Sequence, residues 1–452
     1  MLTRLRFSNF KSWPSAEIQF GGITGLFGTN SSGKTSLIQF LLLLKQTKEG
    51  TDRGVSLDLN GPLVNLGVYK DMIHAHDEKK AIGWALEFER DKDLSLVDPS
   101  GKRTETIAKE RRIVVESGVR AASQGAVATR LTYRLGAIGF SLAPKESSER
   151  GFELGATGTD FRFERTRGRP WQLPGPVKSY AFPDQARTYF QNASFLSDIV
   201  AAYEEQIDQI YYLGPLREYP QRDYLWARSR PQDVGRRGEK AIDALLSATA
   251  SGESRNRMRR APKRPFQEMV AYWLRDMGLL NEFRVEEIAE GSGRWQAKVR
   301  VRKGGPEVLL TDVGFGVSQV LPVVTLLQYV PEGSTVILEQ PEIHLHPLAQ
   351  ANLADVIINA ATHRRVQVIL ESHSEHLLLR LQRRVAEEAI SAEMVRLYFC
   401  DSHGGNSEIS KLGIDLFGTI QNWPTNFMGD AFGETLAAEK AKLRRMKKDA
   451  AE

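Results

Sequence analysis

The stretch Gly28-Thr29-Asn30-Ser31-Ser32-Gly33-Lys34-Thr35 directly follows the apolar run Ile23 to Phe27 and directly precedes the helical pattern Ser36 to Leu44. It satisfies Gly-x-x-x-x-Gly-Lys-Thr in a strand, loop and helix context, the arrangement of a phosphate-binding loop. Gly28 and Gly33 let the backbone curl so that the N–H groups of Thr29, Asn30, Ser31 and Ser32 can point at a polyphosphate. Lys34 then reaches the β and γ oxygens, and the Thr35 hydroxyl can sit on Mg²⁺. The helix that follows, with Ser36 in its first turn, offers its positive end to the same phosphates. A nucleoside triphosphate is the expected ligand.

Composition bounds what else the chain can be. Its 452 residues suffice for two or three domains, or for one nucleotide-binding core with large insertions. Hydrophobic residues at 41% and charged residues at 26% are ordinary for a globular protein. The one cysteine, Cys400, excludes an intramolecular disulfide and a cysteine-rich zinc site, and a cytoplasmic location is expected. No signal peptide is read at the N-terminus. The longest apolar run, Phe40 to Leu44, is too short for a membrane span, so no membrane partner is expected. A formal charge of +5 permits nucleic-acid binding without requiring it. Arg255 to Arg264 holds six basic residues in ten, but no aromatic residue interrupts it to form a base-stacking platform.

Along the chain, Leu2 to Phe7 and Glu17 to Phe20 read as strands leading into the phosphate-loop strand, their turn bringing Lys11 near the nucleotide. Ile82 to Glu89, Arg111 to Val115, Arg130 to Arg134 and Phe161 to Arg165 predict a meandering antiparallel sheet beside the site. Gln185 to Gln209, Gly238 to Thr249 and Pro265 to Leu280 read as helices, and Ala250 to Lys263 as a mobile loop. Phe283 to Ala289 and Arg294 to Val301 read as a hairpin.

The second half of the site lies near the C-terminus. The apolar run Thr335 to Leu338 ends in Glu339-Gln340-Pro341-Glu342-Ile343-His344-Leu345-His346-Pro347. A buried strand ending in carboxylates beside a phosphate loop can hold Mg²⁺ and polarise the attacking water. Val366 to Leu370 is another buried strand, ending in Glu371-Ser372-His373-Ser374, where His373 can touch a γ-phosphate. Between them Gly314, Gly316 and Ser318 sit in a loop that opens the apolar helix Val320 to Leu327, a second anion-binding helix start.

These three segments resemble the ABC-type ATPase heads of the SMC, RecF and OLD (overcoming lysogenization defect) group, over Met1 to about Trp423. The resemblance implies a P-loop α/β fold with a mixed central sheet, an antiparallel β-subdomain and a helical insertion. It implies ATP and Mg²⁺ as cofactors. It also implies a homodimer or higher homo-oligomer, in which the glycine loop of one subunit caps the phosphate held by the other. Under it Thr35, Glu339 and Asp71 are the candidate metal residues, Asp71 lying in the family's lid segment. Gly314 takes the place of the signature serine, leaving Gly316 and Ser318 to contact phosphate.

Gln340 falls where the family has its catalytic glutamate, and a glutamine cannot take a proton from water. Either Glu342 assumes that role, or hydrolysis is slow and ATP acts as a dimerising switch, or Gln340 replaces a native glutamate.

The expected organisation is an N-terminal ATPase lobe over 1–218, a helical and hairpin insertion over 219–305, a C-terminal ATPase lobe over 306–430 and a basic helical tail over 431–452. An OLD-type nuclease domain is not expected in the few residues after Trp423. A separate effector, a nuclease or toxin, is therefore the expected partner, as in anti-phage systems that pair a related ATPase with an effector. A RecF-like repair ATPase clamping DNA is the alternative. A transporter ATPase is disfavoured because no Leu-Ser-Gly-Gly-Gln loop is present.

Overall fold

The computed structural model describes residues 1–99, 105–122, 125–145, 151–168, 172–258, 260–424 and 440–442. In chain order the first elements are β1 (Leu2–Phe10), β2 (Trp13–Gln19), β3 (Ile23–Gly28), α1 (Lys34–Glu49), α2 (Tyr69–Met72), β4 (Ile82–Asp98), β5 (Glu105–Ala122), β6 (Gly125–Leu135), β7 (Ile138–Pro144) and β8 (Phe152–Thr157). There follow α3 (Asp184–Tyr189), α4 (Leu196–Asp208), β9 (Ile210–Leu213), β10 (Tyr224–Leu225), α5 (Ala241–Ala250), β11 (Ser254–Arg255), β12 (Arg264–Pro265), α6 (Phe266–Asp276), β13 (Glu282–Glu287), β14 (Arg294–Arg300) and β15 (Val308–Leu309). The last are α7 (Phe315–Tyr329), β16 (Thr335–Glu339), α8 (Pro347–His363), β17 (Gln367–Glu371), α9 (Glu375–Ala386), β18 (Val395–His403) and β19 (Asn406–Leu412).

A six-stranded sheet in the order β19-β18-β3-β17-β16-β9 forms the centre. All of its neighbours pair in parallel except β18 and β19, which form an antiparallel hairpin. Its middle strands are apolar on both faces because both faces are covered, as parallel sheets require. On one face Ile23, Phe27, Val336, Leu338, Val368 and Leu370 join the core built around α5, α6, α7 and α8. On the other, Leu26, Ile337, Ile369, Tyr398 and Cys400 join the core that contains α1, α4 and the antiparallel sheet. This period-two division is what lets short runs such as Val-Ile-Leu serve two cores at once.

The second sheet has seven strands in the order β2-β1-β4-β5-β6-β7-β8 and is antiparallel throughout. The N-terminal hairpin therefore belongs to this sheet and not to the central one. β4 and β5 run well beyond the expected short stretches. Phe161 to Arg165 is not a strand; its backbone makes one isolated bridge, Arg165 to Phe190, while Phe161 and Phe163 pack their rings against Phe195. The helix expected over 185–209 is two helices, because residues 190–195 turn between α3 and α4.

The loop expected to be mobile over 250–263 is tied down. Arg255 donates to the Gln328 carbonyl and to Glu253. Arg255, Arg257 and Arg264 lie over the rings of Phe266, Tyr272 and Trp273. Much of the basic run is thus occupied in holding α6. The tail over 431–452 lies outside the described residues except for 440–442.

Candidate functional site

The phosphate loop joins β3 to α1, and each of its glycines answers a steric demand. At Gly28 (φ +139°) a Cβ would stand 2.0 Å from the Cys400 carbonyl oxygen of the adjacent β18. At Gly33 (φ +92°) it would stand 2.7 Å from the Trp13 indole nitrogen and 2.5 Å from Ser407 Oγ. Trp13 is fully buried and donates to the Gly33 carbonyl at 3.2 Å. Ser407 is joined to Ser12 through its backbone N–H and its hydroxyl. The β1–β2 turn and the β18–β19 hairpin therefore brace the loop from behind. Sequence reasoning missed Trp13; an aromatic residue in the turn before a phosphate loop was its only signal.

Thr29, Asn30 and Ser31 are exposed and Ser32 is buried. The first intrahelical bond of α1 is Leu37 N–H to Gly33 O, so the N–H groups of Lys34, Thr35 and Ser36 lack helical acceptors and are free for an anion. The Lys34 ammonium donates to the carbonyls of Gly28 (3.1 Å) and Thr29 (2.6 Å), bonds that phosphate oxygens can replace. Burial lowers its pKa, opposed by the negative charge of Glu371. Lys11, also lowered by burial, reaches Gln39 of α1 at 2.6 Å rather than the loop itself.

The strand immediately beside β3 is β17, not β16. Leu26 pairs with Glu371, and Glu371 in turn pairs with Glu339. The Thr35 hydroxyl accordingly meets Glu371, 2.9 Å from Oε2 and 3.2 Å from Oε1. Glu339 accepts from the Tyr212 hydroxyl of β9 at 2.8 Å. The expectation that the 335–339 strand stands beside the loop is corrected by one strand, and Glu371 is the residue the sequence reading passed over. Its signal was an acid at the end of an apolar run, just before Ser-His.

Burial, aided by Glu371, raises Glu339 to about 7. Glu371 is raised too, chiefly by burial, while Thr35 and Lys34 oppose the shift. Both shifts have the sign that a nearby cation would reverse.

Gln340 takes φ +44° and is held in that turn from both sides: its N–H donates to the Glu371 carbonyl at 2.8 Å. The buried Arg217 donates to the carbonyls of Glu339 and Gln340 at 3.0 and 3.3 Å. Arg217 thus fixes the strand end, and desolvation depresses it to about 10.

Glu342 is buried and raised by that burial. Its Oε1 accepts from Ser372 Oγ and from the His373 N–H, both at 2.8 Å, while Oε2 has no hydrogen-bond partner among the described residues. His373, two residues beyond β17, is largely exposed; partial desolvation of its ring and then the charge of Lys34 lower its pKa.

At the N-terminus of α7 Gly314 is open, with no atom within 4 Å of a Cβ placed there. Gly316 packs on the His344 carbonyl, and the Ser318 hydroxyl turns back to Phe315 O at 2.8 Å. Phe315 packs edge-on against Tyr219 and His344. Asp71 caps its own short helix, accepting from Val68 N–H at 3.0 Å, and no hydrogen bond joins it to Thr35 or Glu339. Among the described residues no three His, Cys, Asp or Glu side chains converge as a cation cage.

Residues 23–380 match the family described as AAA domain, putative AbiEii toxin, type IV toxin–antitoxin system. The chain belongs to that family. It is a P-loop ATPase-type protein. Residues 390–437 match a second family, described as a protein of unknown function (DUF3696). No curated protein matches the chain. Among solved structures it is similar to an SMC head domain from Thermotoga maritima, at 14% identity and a TM-score of 0.43, over 91% of this chain and 98% of that one. A second similar structure is an Smc head domain with an extended coiled coil bound to the C-terminal domain of ScpA, from Pyrococcus furiosus, at 11% identity and a TM-score of 0.43, over 91% and 96%. No helix among the described residues is long and apolar enough to cross a membrane.

Proposed function

We propose that the chain is an ATP-binding, slowly hydrolysing ATPase whose ATP-gated dimerisation serves as a sensor or scaffold for a separate effector, in anti-phage defence. The observation that carries the slow-turnover reading is Gln340. The residue after the strand-end acid is an amide, clamped by Arg217 and the Glu371 carbonyl, and an amide cannot serve as general base. Glu342, the next acid after Gln340, has Oε1 committed to Ser372 and His373, while its Oε2 is buried and without a hydrogen-bond partner among the described residues.

In this reading Gly28 to Ser36 hold the phosphates and His373 faces the γ-phosphate. Thr35 would hold Mg²⁺, which supplies positive charge to offset the phosphate oxygens. The open start of α7 and the aromatic group Tyr219, Phe315 and His344 support a second copy as the partner that completes the site. The toxin–antitoxin description of the family supports a role alongside an effector.

The test is steady-state phosphate release from ATP. The parent chain should turn over slowly, Lys34→Ala should abolish turnover, and Gln340→Glu should raise it by roughly two orders of magnitude, the usual contribution of a positioned base. A fast parent enzyme that Gln340→Glu leaves unchanged contradicts the proposal.

A further inference from the structure

The pairing of Thr35 with Glu371 points to a division of labour at the cation site. We infer that Glu371, at the end of β17, is the carboxylate that positions the Thr35 hydroxyl on the divalent cation of the bound nucleotide. This rests on the nucleotide site described above.

A hydroxyl that ligates a cation must present a lone pair to it and therefore direct its proton elsewhere. The Glu371 carboxylate, 2.9 and 3.2 Å from Thr35 Oγ1, is the acceptor for that proton. It is buried, at 4% exposure, so its charge is little screened by solvent. It lies one strand from the loop, through the Leu26–Glu371 register, whereas Glu339 lies two strands away and is engaged by Tyr212. Two buried carboxylates, Glu339 and Glu371, are aligned at adjacent strand ends. Thr35 would hold a cation whose charge would offset their mutual repulsion, with Glu371 still accepting the Thr35 proton. Glu371 acts from behind the ligand, and such partners typically govern metal affinity by 10- to 100-fold.

The experiment is equilibrium binding of a fluorescent ATP analogue to the full chain, titrated with Mg²⁺, for the parent, Glu371→Gln, Glu371→Asp and Lys34→Ala. Measured against its own metal-free affinity, Glu371→Gln should need at least about tenfold more Mg²⁺ than the parent to reach the tightly bound state. Glu371→Asp withdraws the carboxylate by one methylene and should fall between them; it also provides the reading should Glu371→Gln fail to fold. A purely structural clamp between α1 and β17 would weaken binding equally with and without Mg²⁺. That result, or a Mg²⁺ midpoint within twofold of the parent's for the folded variants, overturns the inference. Parent binding that Lys34→Ala does not weaken would instead remove the nucleotide site itself, a separate and recognisable failure.

Discussion

A carboxylate accepts a proton from water and an amide does not, and at Gln340 the chain carries the amide while acids crowd around it. Glu339, Glu342 and Glu371 are all buried, so each is pushed toward its neutral form. For Glu339, raised to about 7, the sign of the pH effect follows directly. The folded state retains a proton that the unfolded chain releases near the ordinary carboxylate value of about 4.5. The associated stability is complete below that value and is lost as pH rises through about 7. The nucleotide-free protein should therefore melt at a higher temperature near pH 5.5 than near pH 8, with Glu339→Gln flattening the difference. Thermal melts of both proteins at the two pH values check this; greater stability of the parent at the alkaline value, lost in the variant, would contradict it. The sequence named Glu339, Gln340 and Glu342 as site residues because their run is distinctive. It did not yield Glu371, since a lone acid at a strand end gains meaning only when the neighbouring strand is known.

Helix α1 begins with Lys34 and Thr35 of the phosphate-loop motif and is fastened at its other end. The buried Lys178 donates to the carbonyls of Lys48 and Gly50 at its C-terminus, where a cation also complements the helix dipole. Lys178→Met keeps the apolar stem and removes both bonds. It should cost about 1–3 kcal/mol, seen as a lower urea midpoint at unchanged slope. A midpoint within error of the parent would show that the contact contributes nothing. The elements themselves were largely legible: the strand before the loop, helix α1 and the hairpin of β13 and β14 follow from apolar period, glycine placement and turn residues. Neither the pairing of β1 and β2 with the antiparallel sheet nor the insertion of β17 between β3 and β16 was legible. Parallel neighbours are set by packing across hundreds of residues, and local pattern does not encode that order.

At the scale of the molecule the central sheet is the shared wall of two cores, and its strand ends carry Lys34, Glu371, Glu339 and His373 to one edge. The α7 start and the segment between β9 and β10 present Phe315 and Tyr219 with substantial exposure, at 39% and 69%, the surface proposed above for a second copy. Phe315→Asp should abolish ATP-dependent association while leaving nucleotide binding intact; loss of both together would assign Phe315 to folding instead. The decisive measurement is the solution mass of the purified chain by light scattering, with and without ATP and Mg²⁺. The expected mass is 50.7 kDa without nucleotide and twice that with it. A mass that stays at the monomer value with ATP demonstrably bound, or a dimer indifferent to ATP, would contradict it.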